Sequence, residues 1–165
     1  MNKVTLRPQK VSDAKRFYEI LNNPNFIYFE VCPESVESEK EWLKKNKQKI
    51  KDNFEHNYAI LYNNKVVGAC GLKINQHRKY IGEIGYFLDE AYWGKGITTE
   101  AVKLLEKIGF EKLKLTRIEI LMRPENKASE RVAIKCKYEK EGLLKKLTRD
   151  KKKAPHDCYI YAKTK

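Results

Sequence analysis

Residues 91–101 read AYWGKGITTEA, with two glycines around a lysine directly before a run of helical periodicity. Gly94 and Gly96 let the backbone come close to a bulky anion. A helix opening at that point turns the unpaired N–H groups and positive partial charge of its first turn toward the same place. Lys95 adds a full charge, and Thr98 and Thr99 add hydroxyl donors. These residue types in this order describe a phosphate cradle. The helix behind it carries Ile97, Ala101, Leu104, Leu105 and Ile108, spaced as one buried face. Glu100 stands in the first turn and must point away if an anion is to bind. A Walker A loop needs GxxxxGK[ST], which the sequence lacks. A dinucleotide fingerprint needs a third glycine where Thr99 stands. Glu119 lies at a suitable distance for a ribose contact, but the repeated βαβ units of such a domain are missing. A GxG pair alone also fits an ordinary tight turn.

The elements that must position this loop follow from periodicity. Residues 4–8, VTLRP, alternate and end on Pro8, which predicts a strand. Ser12 is read as the N-cap of a helix carrying Ala14, Phe17, Tyr18 and Leu21, stopped at Asn22-Asn23-Pro24. Residues 35–52 predict a second, lysine-rich helix. Residues 58–74 form two strands around Asn63-Asn64, a tight hairpin turn. A strand at 80–88, the glycine loop, a helix to about Lys112, a strand at 116–122 and a short helix at 127–136 follow. Two final strands, 138–144 and 157–163, are joined by the basic loop KKLTRDKKKAPH. An antiparallel meander followed by one strand–loop–helix–strand unit predicts an α+β fold, a mixed and mainly antiparallel sheet with helices on its faces.

Composition limits the function. At 165 residues, 41% of them hydrophobic, the chain suits a single globular domain, residues 1–165. It has no apolar run of membrane-span length and no signal-peptide core near its start, which places it in the cytoplasm without a membrane partner. Cys32, Cys70, Cys136 and Cys158 are scattered and read as reduced, mostly buried thiols. His56, His77 and His156 have no ligand spacing, so no metal is expected. The net charge of +13 attracts anions such as nucleic acid, acidic membranes or a phosphorylated cofactor, although a lysine-rich surface also serves solubility alone. Lysine outnumbers arginine, which disfavours base readout.

The stretch IGEIGYFLDEAYWGKGITTEAV, followed by PENKASERVAIKCKYEKEG, resembles the GNAT superfamily of N-acetyltransferases. The resemblance extends to its branch of RimJ/RimL-like ribosomal-protein N-terminal acetyltransferases and to spermidine acetyltransferases. LRPQKVSDAKRFYEILNNP is similar to that branch's opening and DCYIYAK to its closing strand. Departures occur at Ala91, where the family often has Gln or Arg, and at Lys135-Cys136-Lys137-Tyr138, where "EKLGF" is common. Ala133 stands where many relatives carry a tyrosine acid. The resemblance implies the three-layer α/β/α acyl-CoA N-acyltransferase fold and acetyl-CoA as cosubstrate. Gly94, Lys95, Gly96, Ile97, Thr98 and Thr99 would hold its pyrophosphate. The main chain at Tyr86, Phe87 and Leu88 would pair with the pantetheine arm. Asn126 matches a cofactor-orienting asparagine, Glu83 a strand glutamate that serves as base, and Ser129 a serine that lies near the thiol. With Ala133 in place of the tyrosine, Ser129, water or Tyr138 would have to stand by the leaving thiolate.

Acetyl transfer to an amine needs a neutral nucleophile, a polarised carbonyl and a stabilised thiolate. An α-amine titrates near ~8 and a lysine near ~10.4, so lysine costs about 3–4 kcal/mol more to deprotonate at neutral pH. One modest base therefore suits a protein or peptide α-amine. A polyamine acceptor would need clustered acids, for which Glu30, Glu34, Glu37 and Glu39 form a candidate wall, although such runs are usually solvated. The basic residues Lys145, Lys146, Arg149, Lys151, Lys152 and Lys153 are a candidate ribosome or RNA contact, without the aromatic ladder of single-strand binders. Polyamine acetylation and a catalytically silent ribosome- or RNA-binding module remain the alternatives, and monomer and homodimer both stay open.

Overall fold

The computed structural model describes residues 3–30 and 32–165. The chain runs β1 (Val4–Pro8), α1 (Ala14–Leu21), α2 (Val36–Lys44), α3 (Asn46–Lys51), β2 (Glu55–Tyr62), β3 (Lys65–Ile74) and β4 (Ile81–Leu88). It continues through α4 (Ile97–Lys107), β5 (Arg117–Met122), α5 (Lys127–Lys135), β6 (Glu139–Arg149) and β7 (Pro155–Thr164). Among the described residues seven strands form one mixed sheet in the order β1-β2-β3-β4-β5-β7-β6. Every neighbouring pair is antiparallel except β4 with β5. Asn63 and Asn64 both take positive φ, 49° and 64°, as a twist-matched two-residue hairpin turn requires.

Helices cover both faces, giving the α/β/α layering. Ile60, Leu72, Ile84, Ile118 and Ile120 meet Ile97, Ala101, Val102 and Leu105 of α4 in the larger core. On the opposite face Ala14, Phe17 and Leu43, from α1 and α2, pack on Ala59, Ala69 and Phe87. The period of two in β4 divides its side chains between these layers. Ile84, Tyr86 and Leu88 face the α4 side, while Phe87 faces the α1–α2 side. Each fully buried aliphatic side chain contributes about 1.5–3 kcal/mol, so the start of α4 is held firmly on the sheet.

Several details differ from the sequence reading. Ser12 caps no helix: residues 11–13 form a tight turn, and Asp13 accepts the Lys10 N–H (2.8 Å) and pairs with Arg7 (2.7 Å). The helix expected over 35–52 breaks at Lys45 into α2 and α3, and Ser35 supplies the N-cap through Ser38 N–H. The buried face of α4 runs through Val102 rather than Leu104, which is 38% exposed. After Lys107 the helix widens into a π-helical turn, Ile108–Lys112. The final hairpin is longer than expected, because β6 continues to Arg149. Cross-strand bonding to β7 absorbs most of the basic loop and leaves a short tip near Asp150–Ala154. Cys70, Cys136 and Cys158 are buried free thiols and Cys32 is half-buried.

Candidate active site

The site begins where two parallel strands part. β4 pairs with β5 only through Ile81–Arg117, Gly82–Ile118 and Glu83–Glu119. Beyond Glu83, β4 stays bonded to β3 as far as Leu88, and β5 to β7 as far as Met122. The edge of β4 from Ile84 to Leu88 therefore faces a wedge rather than a neighbouring strand, with backbone groups free to accept an extended chain.

The glycine loop lies at the mouth of this wedge. Gly94 and Gly96 have φ of +74° and +75°, the left-handed region where a Cβ is costly. A Cβ at either position would meet nothing within 4 Å, so conformation rather than crowding selects glycine. Gly96 is the N-cap of α4 and offers no side-chain cap; the first helical bond runs from Glu100 N–H to Gly96 C=O (3.1 Å). The amides of Ile97, Thr98 and Thr99 thus lack a helical acceptor. Glu100 turns outward to Lys103 (2.9 Å), away from them.

A cleft of about 680 Å³ opens in front of these amides. Its walls include Tyr86, Phe87, Leu88, Gly94, Gly96, Ile97, Thr98, Thr99, Asn126 and Ser129. Lys95 is not among them: its Nζ folds back onto the Ala91 carbonyl (3.0 Å) and over Tyr92. Arg131 and Lys135, one turn apart on α5, line the cleft instead and supply positive side chains that the sequence reading missed. Their spacing from Ala128 and Val132, which also line it, was the available signal. An elongated phosphorylated ligand fits a cleft with amides and cations at one end and aromatic and backbone groups at the other.

At the inner end of the cleft the Tyr86 hydroxyl and Ser129 Oγ share a 2.6 Å hydrogen bond. Asn126 Oδ1 accepts the Ser129 N–H (3.1 Å), which caps α5 and fixes Ser129 in place. Burial pushes the Tyr86 phenol up to about 12, against a smaller opposing effect of its bond to Ser129. Tyr86 therefore remains a protonated donor. Tyr138 packs in the larger core with its hydroxyl buried, its pKa raised first by burial and then by Glu106, and it does not line the cleft.

A second cavity, about 510 Å³, lies on the α1–α2 side of β4. Glu83 lines it. Burial raises the Glu83 carboxyl above the ordinary range; Lys73 opposes the rise, and Glu119 and Glu55 add to it. Gly85, two residues on, also lines this cavity, and a Cβ there would meet nothing within 4 Å. The missing side chain leaves a passage along the strand. Tyr86, Phe87 and Phe29 line both hollows, so the two adjoin across β4. The segment between α1 and α2 spans them: Phe26 and Phe29 stack edge-on against Phe87, and Asn23 and Asn25 bind Glu90 (2.8 and 2.9 Å). Of the four acids proposed as a wall, Glu34 and Glu39 line the cavity, whereas Glu30 does not and Glu37 pairs outward with Lys40. Glu55, Asn57, Lys73 and Trp42 also line it and were not foreseen, because three separate elements, α2, β2 and β3, contribute them. Among the described residues no cluster of His, Cys, Asp or Glu could hold a metal, and no helix is long and apolar enough to cross a membrane.

A sheet wedged open beside a glycine-led helix is the architecture of acyl-CoA-dependent N-acyltransferases. Residues 3–139 match the acetyltransferase (GNAT) domain family. The probable N-acetyltransferase YjcK of Bacillus subtilis is 32% identical over 153 residues, 87% of this chain and 84% of YjcK. Two solved structures, each 24% identical, share the fold. The ribosomal-protein-S5-alanine acetyltransferase of Vibrio fischeri superposes with a TM-score of 0.87, covering 99% of this chain and 96% of that one. The microcin C7 self-immunity acetyltransferase MccE, in complex with acetyl-CoA and AMP, superposes at 0.88, covering 99% and 93%. The chain belongs to the GNAT acetyltransferase family and is an acetyl-CoA-dependent N-acetyltransferase.

Proposed function

We propose that residues 1–165 act as one cytoplasmic N-acetyltransferase domain whose acceptor is a protein or peptide N-terminal α-amine. The observation that carries this reading is the placement of Glu83 in one hollow and the Tyr86–Ser129 pair in the other, with the two adjoining at Tyr86 and Phe87. Direct attack needs a base and a thiol-side donor on opposite sides of the reacting carbonyl. The free amides of Ile97, Thr98 and Thr99, assisted by Arg131 and Lys135, hold the diphosphate of acetyl-CoA, and the open edge of β4 takes its pantetheine arm. The amine nitrogen attacks the thioester carbonyl carbon, its proton passes to Glu83, and the C–S bond breaks. Ser129, backed by Tyr86, donates a hydrogen bond to the departing thiolate, which takes up a proton from solvent.

One carboxylate with a raised pKa is matched to an α-amine, which is partly neutral near pH 7–8. The ribosomal-protein-serine acetyltransferase of Escherichia coli, 26% identical over 76% of this chain, supports a protein acceptor. The basic hairpin tip around Lys151, Lys152 and Lys153 is exposed and suits an RNA-rich particle. The test compares thiol release from acetyl-CoA with a peptide bearing a free α-amine and with the same peptide N-blocked but retaining an internal lysine. Release with the first and not the second is expected. Binding of acetyl-CoA without release toward any amine would overturn the reading.

A further inference from the structure

We infer that the acceptor amine carries a second cationic group, which Glu39 receives with the help of Glu34. The inference rests on the acetyl-transfer reading above and concerns the same cavity. The protein as a whole is strongly basic, yet four carboxylates, Glu34, Glu39, Glu55 and Glu83, face one lysine, Lys73, around this hollow. Two of the four are already engaged. Glu55 binds Lys49 at 2.7 Å, and Glu83 stands opposite Lys73 in the β3–β4 register. Glu39 is different. It is only 7% exposed, it lines the cavity, and its carboxylate has no hydrogen-bond or ion-pair partner among the described residues.

A carboxylate on a residue this buried, open only toward the cavity and without a protein partner, is incompletely solvated, and a cation that arrives there is bound with a gain. Lys49 acts on Glu39 only from a distance, because its ammonium is held by Glu55 and lies 3.7 Å from the centre of the Trp42 ring. Glu34, exposed and on the cavity wall, extends the negative surface outward. Leu21, Phe29, Pro33 and Trp42 supply apolar wall against which an alkyl stem between the two nitrogens can lie. The acceptor chemistry this fits is a primary amine joined through a short aliphatic stem to an ammonium or guanidinium. Either a peptide with a cationic first side chain or a small diamine presents it.

The test uses acceptors with one reactive amine and a second group that is charged or its neutral isostere. In the peptide arm, an arginine-first peptide is compared with the citrulline-first peptide. In the small-molecule arm, agmatine is compared with N-carbamoylputrescine. Wild-type kcat/KM is expected to favour the guanidinium member by about tenfold or more, the worth of one charge-assisted hydrogen bond, in whichever arm matches the source. Glu39→Gln is expected to bring that ratio close to one. A merely structural lesion would lower both members together and leave the ratio unchanged. Glu34→Gln, at an exposed position, is expected to lower the same ratio by a smaller factor. Equal wild-type rates for charged and neutral members, or a ratio that survives Glu39→Gln, overturn this inference alone. Failure of all four amines, with a peptide bearing a free α-amine and no second charge still acetylated, overturns this inference alone; failure of that peptide as well overturns the acetyl-transfer reading.

Discussion

The two hollows on either side of β4 are built from different material. The α4-side cleft is made largely of main chain: amides freed at a helix start, two left-handed glycines and an unpaired strand edge. The cavity on the α1–α2 side is made largely of side chains from α1, α2, β2, β3, β4 and the residues just before α2. In the reading proposed above, the first arrangement takes acetyl-CoA, a ligand that is always the same, through its phosphate and amide groups. In the same reading the second takes the acceptor, which side chains rather than main chain would select. Backbone substitutions should therefore damage the first side, and side-chain substitutions should redirect the second.

The largest expected break in this contrast is at Gly94. Gly94→Asp puts a Cβ at φ +74° and a negative charge beside the free amides. Affinity for coenzyme A, measured by calorimetry, is expected to fall on the order of 100-fold while circular dichroism shows an unchanged fold. Wild-type affinity in this variant would rule out the loop as the phosphate cradle. Comparable in size is Glu83→Gln on the other side, where kcat is expected to drop by about 100-fold with little change in acetyl-CoA affinity. The sign of the pH effect follows from burial. The base works ionised and its pKa is raised, so the wild-type rate should climb through a limb lying above the usual ~4.3 of a glutamate. The variant should lose that limb and follow the amine's own titration alone; an unchanged profile removes Glu83 from this role.

The same contrast explains what the sequence made legible. Strand and helix order followed from periodicity, and the glycine loop stood out because left-handed backbone and a helix start leave a contiguous trace, Gly94 to Thr99. The cavity on the α1–α2 side leaves none. Glu39 looks like any acid in a charged helix until α2 packs on the sheet and buries it, and Glu55 and Lys73 meet Glu83 only through strand register. Lys95 illustrates the converse. Its position in the loop suggested a phosphate contact, but a nearby carbonyl captured its side chain, and cations one helix further on took the cleft. Local motif predicts backbone well, whereas long side chains settle according to tertiary neighbours.

A smaller effect sharpens the boundary between the hollows. Gly85 leaves open space on the α1–α2 side of β4, with no strained φ to require glycine. Gly85→Val suits a strand and adds volume only to the passage. The acceptor KM is expected to rise by roughly tenfold, the scale of a few lost methylene-sized contacts, with coenzyme A affinity unchanged. A parallel loss of coenzyme A affinity would show that the two hollows are not separable at this point.

The smallest effect tests whether Tyr86 and Ser129 act as one unit. Their 2.6 Å bond makes Ser129 the group nearer the cap of α5 and Tyr86 its support from the strand. Burial holds the phenol near 12, more than three units above an ordinary thiol at ~8.5, so Tyr86 orients a hydrogen bond rather than surrendering its proton. Ser129→Ala should lower kcat by about tenfold, and Tyr86→Phe by less, since Ser129 keeps its capped position without the phenol. The double variant should then be no slower than Ser129→Ala alone, because the support has nothing left to support. Multiplicative losses would mean that each hydroxyl reaches the reacting sulfur separately. In that case Tyr86, which borders both hollows, would touch the chemistry directly.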